Sequence, residues 1–174
     1  CIYMQEPVAF ASRDGLSVNV AVRVTVDQNC NSALLCSLAL GPGGVPGELT
    51  CDKFAAVPGF GNVRGWVIYD PASRLFWAVN NFNLDTTSGG TGKTFLRVGQ
   101  RCFNQRGNVG LFYSGDAHNW QLAKMLTKAN SNVLSLHYVS CTVVNEDLFC
   151  VGRTNGQLEG SGVITAVHAR NHHV

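Results

Sequence analysis

Residues 16–26, with the sequence LSVNVAVRVTV, constrain the fold more than any other part of the chain. Apolar side chains stand at every even position, and polar residues such as Asn19 and Arg23 stand between them. A period of two sends alternate side chains to opposite faces of a β-strand. Valine also loses rotamer freedom in a helix, which argues against a helical alternative. The segment therefore predicts a long strand with one face toward a core and the other toward water.

Length and composition extend this prediction to the whole chain. The 174 residues suffice for one domain with a substantial core, and no linker divides them. Nineteen glycines favour strands and turns, and segments 41–50 and 57–65 read as Gly/Pro-rich loops. We predict a single, mainly antiparallel β domain over residues 1–174, a β-barrel or a β-sandwich, with one short helix. A small β-propeller is the alternative.

A short motif containing Leu followed by Leu or Phe recurs at intervals of about 40 residues. It occurs in ALLCSLA (33–39), RLFWAVN (74–80), GLFYSGD (110–116) and DLFCVGR (147–153). Regular spacing of this kind indicates stacked β units such as propeller blades. The other interpretation is that buried inner strands of any meander have this composition.

The short helix is predicted after residue 120, where apolar residues have the spacing i, i+3, i+4 and i+7. They are Leu122, Met125, Leu126 and Ala129. This spacing forms one apolar stripe on a helix of about three turns. Ser114 or Asp116 is the expected N-cap.

Seven cysteines, at positions 1, 30, 36, 51, 102, 141 and 150, include no C-x-x-C pair. This argues against zinc-ribbon and thioredoxin-type sites. Cys30 and Cys36, like Cys141 and Cys150, flank short segments that suit hairpin turns, and Cys51 and Cys102 are the other disulfide candidates. We expect up to three disulfides and an oxidising compartment, with buried cytosolic thiols as the alternative. Cys1 is then the unpaired residue.

The segment SGGTGKT (88–94) is similar to a phosphate-binding P-loop but departs from it in two ways. The position five residues before Gly92 is Thr87 rather than glycine. The following FLRVGQRCF alternates like a strand, whereas a P-loop needs a helix that begins at its lysine. We predict an exposed hairpin loop here and no nucleotide or other cofactor.

Several classes of function are not expected. The 13 basic and 11 acidic residues are scattered, so no nucleic-acid footprint is indicated. No apolar stretch approaches the roughly 18 residues of a membrane span. The tail histidines, His168, His172 and His173, have no acidic or cysteine partner nearby in the sequence for a metal site. Neither G-x-S-x-G nor H-E-x-x-H occurs, and no spacing singles out a pair of carboxylates, so an enzyme is not favoured.

The segment YSGDAHNW (113–120) combines a carboxylate, an imidazole, an amide and an indole. Sugar sites commonly combine an aromatic face with polar groups that bind hydroxyls. The predicted ligand-binding residues are Asp116, His118, Asn119 and Trp120, with a second group at Trp66 and Tyr69. The structural alternative is that Asp116 caps the helix and Trp120 closes the core. Asp70 is expected to begin a type I turn, DPAS.

The pattern F-x-S-x-D occurs twice, at residues 10–14 and 112–116. It resembles the Asp-box turns of sialidase-type propellers. The Gly and Thr that usually precede the tryptophan are missing, and the spacing is one residue short, so the pattern assigns no family.

Together these features predict a secreted recognition protein, lectin-like or effector-type, that binds a glycan or a partner surface through its loops. A self-assembling structural or coat subunit is the second possibility, and a small secreted hydrolase is the third.

Overall fold

Three antiparallel meanders make up the part of the chain that the computed structural model describes, residues 3–25, 32–56, 65–82, 107–128, 135–144, 147–155 and 162–169. The first sheet contains β1 (Tyr3–Ala11), β2 (Ser17–Thr25), β3 (Ser32–Leu40) and β4 (Pro46–Ala56). The second contains β5 (Trp66–Asp70), β6 (Leu75–Asn81), β7 (Asn108–Ser114) and β8 (Gln121–Lys128). The third contains β9 (Ser135–Val144), β10 (Asp147–Asn155) and β11 (Gly162–Ala169). In each sheet, strands that follow one another in the chain are neighbours.

The sheets stack face to face, with the second sheet in the middle. Its strands alternate, so Phe76 and Ala78 face the first sheet, whereas Trp77 and Val79 face the third. Apolar side chains therefore cover both faces of the second sheet. The predicted mainly antiparallel β class is confirmed. Over the described ranges the sheets do not close into a barrel but are arranged like a sandwich. Successive stacked meanders are also the connectivity of propeller blades, so the propeller alternative stays a prediction.

The core between the first and second sheets is rich in aromatic rings. Phe10 of β1 meets Phe76 of β6 edge-on, with ring centroids 5.8 Å apart. Phe82 and Phe112 form a second edge-on pair at 5.3 Å. Edge-to-face pairs of this kind stabilise a core by about 0.5–1.5 kcal/mol beyond the area they bury. The Phe10–Phe76 contact fixes the first sheet against the second near the end of β1, and the Phe82–Phe112 pair lies within the second sheet.

The core between the second and third sheets is centred on Trp77, which is almost completely buried. Val79, Val109 and Leu111 of the second sheet pack there with Leu148 of β10. The Asn81 side chain also crosses this boundary, because its Nδ2 donates to the carbonyl oxygens of Leu136 and Asn108 at 2.6 and 3.2 Å. The middle sheet is thus tied to the third by apolar packing and by a buried amide.

The strand predicted at 16–26 is confirmed as β2, but its faces differ from the prediction. Ala21 points into the core shared with the second sheet. Val20, Val22 and Val24 lie on the opposite face, in a separate cluster with Leu34 and Cys36. The reason is that cross-strand partners share a face, and the register pairs Ala21 with the inward-facing Val8 and Leu35. Alternation alone specifies two faces but not which one meets the neighbouring sheet.

The predicted helix is wrong, because residues 121–128 form β8 along β7. Two register shifts interrupt this pairing, between Val109 and Gly110 and between Leu111 and Phe112. Such bulges change the phase of side-chain alternation. Leu122 and Met125, three positions apart, consequently pair with Phe112 and Gly110 on one face. Met125 packs there on the first core, whereas Leu126 packs on the second. A bulged strand with two covered faces therefore has the same i, i+3, i+4 spacing as an amphipathic helix.

The four Leu-containing motifs occupy β3, β6, β7 and β10. All four are inner strands of their sheets, but β6 and β7 are neighbours in the second sheet. The motifs therefore do not mark one repeating unit per sheet. Inner strands that each place at least one face in a core account for their composition.

Among the described residues, two disulfides join neighbouring strands at registered positions, with a Cα–Cα distance of 4.0 Å in each. Cys141–Cys150 joins β9 to β10, and this predicted pair is confirmed. The Cys30–Cys36 pairing is wrong, because Cys36 bonds to Cys51 of β4 and residues 32–40 form one strand rather than a turn. Cys1, Cys30 and Cys102 lie outside the described residues, as do the segment 88–94 and the tail 170–174.

Within the ranges described, none of the helical structure is long and apolar enough to cross a membrane. The same residues include no group of three or more His, Cys, Asp and Glu side chains that could hold a metal ion.

Candidate functional site

The β7–β8 turn, residues 115–120, is organised by one carboxylate. Asp116 Oδ1 accepts hydrogen bonds from Ser114 Oγ at 2.9 Å and from the backbone N–H groups of His118 and Asn119, both at 2.8 Å. Asp116 Oδ2 accepts from Asn119 Nδ2 at 2.7 Å. Because these donors lie on both sides of Asp116 in the sequence, they fix the backbone of the whole turn.

The same hydrogen bonds hold the pKa of Asp116 well below its ordinary value. The backbone N–H of Asn119 has the largest effect, partial burial opposes it, and the donors from His118, Asn119 and Ser114 add to it. Donors that point at a carboxylate favour its charged form. Asp116 is therefore an anion throughout the neutral range, and its charge is compensated inside its own turn.

The predicted site residues in this turn divide into two groups. The side chains of His118 and Asn119 are exposed at the tip. Trp120 is half-buried against the core between the first and second sheets, and its Nε1 donates to the carbonyl oxygen of Ala117 at 3.0 Å. Ala117 is buried and has a left-handed backbone, with φ of 62°. Trp120 and Ala117 thus anchor the turn, and His118 and Asn119 are presented to solvent.

Trp66 and Tyr69, the second predicted group, do not form one site. They lie on opposite faces of the second sheet, because they are three positions apart on β5. Trp66 packs toward the third sheet, whereas Tyr69 packs toward the first, with its ring 5.0 Å from that of Phe76. Each of the two rings therefore packs on a different core, Tyr69 on the first and Trp66 on the second.

The DPAS segment forms the predicted turn between β5 and β6. Asp70 Oδ1 accepts from the Ala72 N–H, and Asp70 Oδ2 accepts from the backbone N–H and the hydroxyl of Ser73. Ser73 Oγ in turn accepts from Trp77 Nε1 at 3.1 Å. Asp70 is thus a structural residue that connects the turn to the buried Trp77.

The two F-x-S-x-D segments adopt the same local structure. In the β1–β2 turn, Ser12 Oγ donates to Asp14 Oδ1 at 2.6 Å, as Ser114 does to Asp116. The Leu16 N–H also donates to Asp14 Oδ1, and the Ser12 hydroxyl is the main cause that lowers the pKa of Asp14. However, the first turn joins the first two strands of its sheet and the second joins the last two. The motif therefore stabilises hairpin turns without marking equivalent positions.

These three turns lie at one end of the two sheets. Phe10, near the end of β1, contacts Phe76 at the start of β6, and Phe76 is the register partner of Ser114. We call the turns at residues 12–16, 71–74 and 115–120 the hairpin end. It carries the exposed side chains of Arg13, Arg74, His118 and Asn119.

A second polar cluster was not predicted from the sequence. Arg23 Nη1 donates to Glu6 Oε2 at 2.9 Å, and the Tyr138 hydroxyl donates to Glu6 Oε1 at 3.0 Å. Glu6 and Tyr138 both have left-handed backbones, with φ of 50° and 55°, and both lie at register shifts. The cluster connects the first sheet to the third. No local pattern could reveal it, because Glu6 and Tyr138 are 132 residues apart.

Comparison with known protein families finds no matching family model, and comparison with curated proteins finds no significant match.

Proposed function

We propose that the chain is a secreted, lectin-like recognition protein that binds a glycan through its hairpin end. One observation carries the proposal: the β7–β8 turn exposes His118 and Asn119 side by side on a backbone fixed by Asp116. The two disulfides support an oxidising, extracellular compartment, because such bonds are rare in the cytosol.

The chemistry of the exposed groups suits sugar hydroxyls. An amide both donates and accepts hydrogen bonds, and a neutral imidazole has one nitrogen of each kind. Trp120, half-buried beside them, adds an aromatic surface of the type that packs on the apolar side of a sugar ring. Since the turn is already ordered, binding requires little further loss of loop entropy.

The test is a glycan array followed by titration of the best ligand, with the variant His118→Ala. Only the backbone of His118 bonds to Asp116, so the substitution removes the imidazole and leaves the turn intact. We expect affinity to fall about tenfold, as for the loss of one hydrogen-bonding group at about 1.4 kcal/mol. Arg153→Ala, an exposed position on β10 of the third sheet, is the control and should bind as the wild type does.

Two outcomes would contradict the proposal. The first is a wild-type protein that binds no glycan, which would favour a protein partner or another role. The second is equal binding by wild type and His118→Ala, which would place the sugar away from this turn.

A further inference from the structure

The two disulfides differ in how far solvent reaches their cysteines. Each has one buried partner, because Cys36 is 4% exposed and Cys150 is 2% exposed. Cys51 is exposed on β4, whereas Cys141 is half-buried and packs against the core between the second and third sheets. A thiol can therefore approach Cys51 from solvent, whereas the fold partly shields Cys141.

Strand β4 lies at the edge of the first sheet in the order of its described strands, with β3 as its neighbour. All of its side chains that the structure describes, at positions 46–51 and 54, are exposed. Besides the backbone pairing with β3, Thr50 Oγ1 donates to the carbonyl oxygen of Ser37 at 3.3 Å, and the disulfide adds a covalent link. Segments that bury few apolar side chains open more readily than the core. The disulfide is therefore a main restraint on β4.

The strands joined by the other disulfide are anchored in a core. Leu136 and Val139 of β9 and Leu148 of β10 are buried between the second and third sheets. Burial of such side chains holds both strands in place whether or not a sulfur bond joins them. Reduction of Cys141–Cys150 is therefore not expected to release a strand.

We propose that Cys51 is a thiol-exchange site and that reduction of the Cys36–Cys51 bond detaches β4 from the first sheet. The thiolate of a small thiol such as glutathione attacks Cys51 Sγ and forms a mixed disulfide, while Cys36 Sγ leaves and takes up a proton. A second small thiol attacks the glutathione sulfur of the mixed disulfide, so that Cys51 Sγ leaves and is protonated in turn. Two small thiols are thus joined as a disulfide for each protein disulfide that is reduced.

Detachment of β4 changes the edge that the first sheet presents. The N–H and C=O groups of β3 that pair with β4 in the oxidised protein then face solvent. An open strand edge of this kind can pair with an added strand. The Cys36–Cys51 bond therefore keeps this edge covered, and reoxidation restores the cover.

The first test measures the order in which the two disulfides react in the folded protein. Wild type is incubated with reduced glutathione at about pH 8, where thiolate is populated, and samples are alkylated at intervals for mass spectrometry. Cleavage after Glu48 and Lys53 separates Cys51 from Cys36, so each adduct is assigned to one cysteine. We expect the first adduct on Cys51. The Cys36–Cys51 bond should be reduced at least about tenfold faster than the other disulfide, which is the internal control.

The second test measures amide hydrogen exchange in a variant that carries Cys36→Ala and Cys51→Ala. Exchange rates in β4 are divided by those in β6, so that a loss of global stability cancels. We expect this ratio to rise at least about tenfold over wild type. Cys141→Ala with Cys150→Ala is the matched control, in which the ratio of β10 to β6 should stay unchanged. If the first variant does not fold, glutathione-reduced wild type takes its place.

Three results would overturn the proposal. They are equal reduction rates for the two disulfides, a first glutathione adduct on Cys36, and a ratio of β4 to β6 exchange that stays at the wild-type value. The outcome is independent of glycan binding, which is assigned to the hairpin end.

Discussion

At the scale of single residues, the most consequential side chain is Asp116, whose four accepted hydrogen bonds shape the β7–β8 turn. Asp116→Asn keeps the shape of the side chain but removes its charge and one acceptor oxygen. We expect the free energy of unfolding at pH 7 to fall by about 1–2 kcal/mol, measured by urea denaturation. Glu48→Gln, an exposed position on β4, is the control and should change stability by less than about 0.5 kcal/mol.

The pH dependence provides an independent check on the same residue. The pKa of Asp116 in the folded protein is depressed below the ordinary value of 3.8. The carboxylate therefore stabilises the fold above that pH, and its contribution is lost as the pH falls toward the folded pKa. We expect the stability difference between wild type and Asp116→Asn to be constant from neutral pH down to about 5 and to shrink below about 4. A difference that stays constant down to about pH 2 would show that the turn does not depend on this charge.

At the scale of strands and hairpins, the disulfides bridge strands that the backbone has already paired. Cys36–Cys51 closes a sequence separation of 15 residues and Cys141–Cys150 one of 9. The chain-entropy model predicts a stabilisation of about 3 kcal/mol for a loop of 15 residues and slightly less for the shorter one. Replacing either pair with alanines should therefore lower the free energy of unfolding by about 2–3 kcal/mol, as measured by urea denaturation without reductant.

Wild type denatured in the presence of reductant is the control for the disulfide prediction, and it should be less stable than either variant without reductant. If the alanine pairs are as stable as the oxidised wild type, the strand pairing alone holds these hairpins together.

The hairpins also show which features a sequence can predict. The β2 strand, the Asp70 turn and the Cys141–Cys150 pair depend on residues within one hairpin, and local patterns predicted them. The helix prediction failed because bulges in the β7–β8 pairing changed the side-chain phase. Cys36–Cys51 was missed because the register of β3 on β4, rather than sequence proximity, selects the partner.

At the scale of the whole molecule, the second sheet separates the first and third sheets along most of their length. The hydrogen bond from Tyr138 to Glu6 is a direct link between those two sheets. Each of its residues has a left-handed backbone at an irregularity in the first strand of its sheet. Bulges change the direction in which side chains point, and here they bring the Glu6 carboxylate and the Tyr138 hydroxyl together. The candidate functional residues also differ in how far the sequence predicts them. Those in the β7–β8 turn could be predicted from local sequence, whereas the cluster of Glu6, Arg23 and Tyr138 forms only when the three sheets assemble.

A double-mutant cycle with Tyr138→Phe and Glu6→Ala measures how much this link contributes to the assembly of the three sheets. Because Tyr138 is 38% exposed, the hydrogen bond is partly screened, and we expect a coupling energy of about 0.5–1 kcal/mol in urea denaturation. Tyr138→Phe with Asp116→Asn is the control pair. Tyr138 bonds to Glu6 and Asp116 bonds within its own turn, so the effects of the two substitutions should add within about 0.3–0.5 kcal/mol. A Glu6–Tyr138 coupling no larger than that of the control would mean that the outer sheets are held only through the middle one. The measured coupling thus distinguishes a stack joined only by neighbouring faces from one in which the first and third sheets also stabilise each other directly.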